Sequence, residues 1–136
     1  MQMHNTPDGV NADGLWPNIA LQTINGHWGF YIRSAAQKIS TAEESTVNYY
    51  DLGEYEAGKW THFLIYLHDG YLPEHHPCTA VWMDGELALY ERIPNTYNTT
   101  RGSYLKMGMY KTSYNSPTDT GSTVRVVNVD NIRIWM

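Results

Sequence analysis

Apolar positions along this chain recur at every second residue, not at helical spacing. In the segment from Trp60 to His68, Phe63, Ile65 and Leu67 fall on one side, and His62, Tyr66 and His68 on the other. In Tyr104-Leu105-Lys106-Met107-Gly108-Met109-Tyr110 the odd positions are all apolar. The best helical window, Ser34-Ala35-Ala36-Gln37-Lys38, is short and runs into β-branched Ile39 and Thr41. The pattern predicts strands over Ile19–Ile24, His27–Arg33, Thr46–Tyr50, Trp60–His68, Thr79–Met83, Glu86–Arg92, Ser103–Thr112 and Thr123–Trp135. Asn25-Gly26 and Asp84-Gly85 are the dipeptides that two-residue hairpins favour, because both central positions need positive φ. Longer polar connections lie at 6–17, 68–77, 94–102 and 113–121. The expectation is one all-β domain over residues 1–136, an antiparallel two-sheet sandwich. Met1-Gln2-Met3-His4 alternates like the end of a strand, and eight strands are few for a sandwich with such long loops. Two readings stay open: a compact small sandwich, or the C-terminal part of a larger domain.

Composition narrows the function classes. Fourteen acidic residues outnumber nine Lys and Arg, giving a net charge of −5. That balance lacks the basic footprint of a nucleic-acid binder. No stretch approaches the roughly 20 apolar residues of a membrane span, and no signal peptide is visible at Met1-Gln2-Met3-His4-Asn5. The lone Cys78 allows neither an internal disulfide nor a multi-cysteine metal site. Aromatics are skewed, with 11 Tyr and 5 Trp against 2 Phe. Flat rings with a polar edge suit a core, and equally a wet groove that holds a sugar.

Sorting the strands by face brings out the chemistry. Tyr104, Lys106, Gly108 and Tyr110 share one side of their strand, and Gly108 opens a gap there for a ligand to approach. Gln2 and His4 share one side of the N-terminal segment. His, Gln, Lys and two Tyr make an unusual set for a purely structural surface. His62 and Tyr66 are candidates to line the same groove, and Arg33, Arg101, Lys106 and Lys111 could form a local basic patch. His75-His76 beside Glu74 lacks a third ligand at suitable spacing, so a solvated loop is the simpler expectation. No metal or other cofactor is called for by these motifs, although a structural Ca²⁺ on backbone carbonyls is compatible with them. Nucleophile-elbow, nucleotide-loop and paired-carboxylate patterns are absent from the sequence.

Gln2-Met3-His4 resembles the Gln-x-His strand of β-jelly-roll polysaccharide lyases, and the Tyr104 to Tyr110 segment resembles their Tyr-x-Lys-x-Gly-x-Tyr strand. Between them, Asn18 to Trp28, Gly58-Lys59-Trp60-Thr61-His62-Phe63, Trp82-Met83-Asp84-Gly85-Glu86 and Val129-Asp130-Asn131-Ile132-Arg133 resemble further family segments in the same order. The likeness is to the heparin lyase I and glucuronan lyase type, and more distantly to alginate lyases.

The resemblance implies a jelly roll, incomplete at its N-terminal side, that cleaves a uronic-acid polysaccharide by β-elimination. It implies Tyr110 as the catalytic tyrosine, His4 as base or carboxylate neutraliser, Gln2 as carboxylate donor, and Lys106 as anion binder or tuner of Tyr110. Tyr104, His62, Tyr66 and Arg101 are expected to bind substrate. An acidic polysaccharide is the implied partner, with neither nucleic acid nor membrane. A secreted or extracellular setting is also implied. Alginate lyases carry an Arg-x-Glu-x-Arg strand before Gln-x-His, and this sequence has no room for one before Gln2. A second chain or second copy completing the sandwich would supply what is missing. The alternatives to a lyase are a non-catalytic carbohydrate-binding or structural sandwich, and an interaction module completed by another chain.

Overall fold

The computed structural model describes residues 1–5, 15–108 and 126–135. Two compact units, Met1–Lys106 and Met107–Met136, are described separately. The first contains eight strands: β1 (Gln2–His4), β2 (Ile19–Ile24), β3 (His27–Ser34), β4 (Thr46–Glu54), β5 (Phe63–His68), β6 (Cys78–Met83), β7 (Glu86–Glu91) and β8 (Tyr104–Lys106). Helical structure among the described residues is limited to 3-10 turns at Ala42–Glu44 and Pro73–His75.

The strands form two antiparallel sheets, one of five in the order β4-β3-β2-β1-β8 and one of three in the order β5-β6-β7. Both predicted two-residue hairpins are present. Asn25 and Gly26 have φ of 50° and 85°, and Asp84 and Gly85 have 52° and 91°. Those are the paired positive values that a twist-matched tight turn requires.

Alternation then decides what is buried. Ile19, Leu21, Phe30, Ile32 and Leu52 from the larger sheet meet Val81 and Leu89 from the smaller in one core, with Met3, Phe63, Ile65 and Leu67 packed against it. The fold is therefore an all-β, antiparallel two-sheet sandwich, as the sequence predicts. The opposite faces of both sheets point away from this core. Leu15, Ala35, Ile39 and Tyr97 form a smaller second cluster.

Asn95 ties the two sheets together near that cluster. It is fully buried, accepts from the backbone N–H of Gly70 at 2.9 Å and donates to the carbonyl of His68 at 3.0 Å and to Thr79 Oγ1 at 3.2 Å. Its own carbonyl accepts from Asn18 Nδ2 at 3.0 Å. Asn95 thus joins the end of β5 and the start of β6 through its side chain, and the entry to β2 through its backbone carbonyl.

Several predicted boundaries shift. The strand expected from Thr46 to Tyr50 continues to Glu54, and β5 begins at Phe63 and not at Trp60. Trp60 is instead 65 % exposed. The expected final strand is not formed over 126–135, where no ladder pairing is made among the described residues. Asn131 has a φ of 54° there, and its N–H donates to the Asp130 carboxylate at 2.7 Å. The end of the strand predicted over Ser103–Thr112 lies outside the described residues.

Candidate active site

The three-residue strand β1 bears two of the residues predicted for the site, Gln2 and His4. β1 lies between β2 and β8, with Gln2 opposite Ala20 on one side and Lys106 on the other. Met3 points into the core, so Gln2 and His4 occupy the face turned away from it. The β8 register puts His4 opposite Tyr104 and Gln2 opposite Lys106. Directly opposed residues share a sheet face. Four of the residues predicted for the site, Gln2, His4, Tyr104 and Lys106, therefore stand together on one open face.

Their side chains are mutually engaged. His4 Nε2 lies 3.1 Å from Gln2 Oε1. With the amide oxygen facing the ring, Nε2 carries the proton and Nδ1 keeps its lone pair. The ring stacks on Tyr104 at 5.5 Å between centroids and 20° between planes. Lys106 Nζ stands 5.4 Å from the centre of the same Tyr104 ring, within cation–π range. Burial of the half-buried imidazole, and secondarily the Lys106 charge, hold the His4 pKa below its ordinary 6.5. The imidazole is thus neutral at pH 7, and the Gln2 amide N–H groups remain available to an incoming acceptor.

The remaining predicted residues are distributed differently. Tyr66 belongs to the three-stranded sheet, on the face opposite the core, since Phe63, Ile65 and Leu67 take the inner positions, and His62 lies just before β5, its N–H on the Asp84 carboxylate at 2.8 Å. The structure does not bring them to the Gln2–His4 face. Arg101 lines a cleft of about 240 Å³ with Asn5, Asp69, Tyr71, His75 and Ser103. That cleft adjoins the site, because Asn5 follows His4 and Ser103 precedes Tyr104. Tyr110 and Lys111 lie outside the described residues. His75 packs edge-on against Tyr71 at 4.6 Å. Among the described residues, no three His, Cys, Asp or Glu side chains converge to hold a metal ion.

The site face also holds residues that the motifs do not single out. Tyr31 pairs with Ala20 and Tyr49 with Tyr31, which continues the Lys106–Gln2 row across the sheet. Arg33, noted in the sequence only as a charge, is 6 % exposed. Its Nη1 donates to the Pro17 carbonyl at 2.8 Å. Its guanidinium carbon lies 4.6 Å from the Tyr31 ring centre and 5.1 Å from that of Trp16. The available signal was the alternation of Tyr31 and Arg33 with Phe30 and Ile32. It marks the outward face of β3 but not what stands beside it.

One open sheet face thus combines a neutral imidazole, an amide, an ammonium group and a phenol, with no paired carboxylates among them. Such a set can bind an anion, neutralise it and remove a neighbouring proton. A comparison with protein-family models finds the family described as "Polysaccharide lyase", matched over residues 1–133. No curated protein and no solved structure matches the chain. With nearly the whole sequence covered by that match, the chain belongs to the polysaccharide lyase family.

Proposed function

We propose that this lyase cleaves a uronic-acid-containing polysaccharide by β-elimination, and that the Gln2–His4–Lys106 face holds the uronate. The single observation that carries the reading is the register pairing Gln2 with Lys106 and His4 with Tyr104 on one open face. The substrate carboxylate accepts from the Gln2 amide and is balanced by the Lys106 charge, which acidifies the neighbouring C5–H. His4 Nδ1, left with its lone pair by the Gln2 contact, takes that proton. The C5–H electron pair becomes the C4=C5 double bond, and the C4–O bond to the leaving sugar breaks. Tyr110, assigned by its place four residues after Lys106 in the family motif, protonates the departing oxygen. No water is consumed.

The test is incubation with glucuronan, alginate, heparin and pectate, followed by the near-UV absorbance of the unsaturated product. Tyr110→Phe is expected to abolish product formation while oligosaccharide affinity stays within about twofold of wild type. Saccharide binding with no product from any polymer would leave a carbohydrate-binding module instead.

The acid limb of the pH profile gives a second check. A histidine whose neutral form is favoured by burial begins to act as a base at a pH below the ordinary 6.5. The acid-side midpoint of kcat/KM is expected below that value. In Lys106→Gln the midpoint should move upward, but only part of the way to the ordinary value, because burial is the larger cause and Lys106 the smaller. A midpoint above 6.5 would remove His4 from the role of base.

A further inference from the structure

We infer that Tyr49 and Tyr31 form a stacking platform for a second sugar of the same anionic chain, beyond the site where the bond breaks. The inference rests on the functional reading above and extends it along the sheet. Lys106, Gln2, Ala20, Tyr31 and Tyr49 are consecutive register partners, one from each strand of the larger sheet. The row crosses the strands at right angles on the face turned from the core. By ordinary strand spacing, Tyr31 stands about 10 Å and Tyr49 about 14 Å from Gln2. A saccharide held by its carboxylate at Gln2 and continuing along this row therefore reaches the two rings.

The rings are held as a platform and not as loose surface side chains. Tyr49 is 46 % exposed. Its other side rests on the sheet at Gly29, where an added Cβ would stand 2.8 Å from Tyr49 Cε2 and 3.4 Å from Ile24 Cδ1. Gly29 thus provides the seat on which the ring lies. Tyr31 flanks it at 4.9 Å between ring centres. Arg33, packed against Tyr31, is fixed to the Pro17 carbonyl and cannot swing away without breaking that bond. A half-covered aromatic ring with one free flank matches a pyranose that offers C–H groups on one side. Asp51, the nearest acid on the face, is engaged by His27 Nδ1 at 3.0 Å.

Calorimetric titration with a glucuronan disaccharide and hexasaccharide tests this, in the Tyr110→Phe background so that ligand survives. Tyr49→Ala should weaken hexasaccharide binding about tenfold and leave the disaccharide unchanged. Tyr49→Phe, which keeps the ring, should match the parent for both. Gly29 lies outside the left-handed region, so Gly29→Ala leaves the backbone comfortable and should weaken the hexasaccharide alone by displacing the ring. Equal hexasaccharide affinity in parent and Tyr49→Ala overturns the platform, as does an equal loss for both ligand lengths. Product formation by the wild-type protein is scored separately. A failed platform beside a working lyase, and a saccharide-binding platform beside an inert one, are therefore distinguishable results.

Discussion

His4→Ala will lower kcat/KM on the cleaved polymer by about 10² to 10⁴, the usual worth of a positioned general base. The loss should appear mainly in kcat, because in the proposed mechanism Gln2 and Lys106 still hold the carboxylate. The fold should survive. His4 is half-buried on the open face and takes no part in the core of Ile19, Phe30 and Val81. Its removal frees Gln2 Oε1 to solvent and ends a stack with the exposed Tyr104, changes worth well under a core truncation. The urea midpoint should therefore move little while turnover falls by orders of magnitude. Turnover within threefold of wild type would show that another group takes the proton.

Asn95→Ala is expected to have the opposite signature, a large loss of stability of about 3–5 kcal/mol. Alanine leaves the buried Gly70 N–H without its acceptor and the part-buried His68 carbonyl without this donor, around an Asn95 that is itself fully buried. Each stranded buried group costs about 1–3 kcal/mol, against a total of about 5–15 kcal/mol for a domain. Asn95→Asp should not rescue it. A carboxylate can still accept from Gly70 but would face the His68 carbonyl with no proton to offer. Urea titration measures both variants, and a shift under 1 kcal/mol for the alanine form would show that water replaces the amide.

The strands were legible where turn chemistry and alternation agreed. Asn25-Gly26 and Asp84-Gly85 fixed two hairpins, and the apolar sets Phe63/Ile65/Leu67 and Ile19/Leu21 identified the core faces. The grouping of Gln2 with His4 was equally readable, since both follow from period two. What sequence could not supply was which strands lie side by side. Pairing of β1 with β8 is non-local, and no turn residue encodes it. The same limit explains why Tyr66 was assigned to a groove: its own strand shows that it faces outward, but not from which sheet. Arg33 illustrates the converse. Its neighbour Tyr31 is two positions away, yet only the register across β2 and β3 places the pair on the site face.

The hydrogen bonds between the Asn5 side chain and the Tyr97 backbone close a loop of 92 positions. They lie immediately beyond β1, the three-residue strand that bears Gln2 and His4. A strand this short contributes little on its own and is held by partners drawn from distant parts of the chain. Its closure entropy must be met before any reward arrives, so β1 is expected to dock after the local hairpins have formed. The grouping of Gln2 and His4 with Tyr104 and Lys106 is then a product of the last folding step. A nascent or partly folded chain keeps its hairpins and lacks that face, so under the proposed mechanism activity reports completion of the sheet and not the presence of its core.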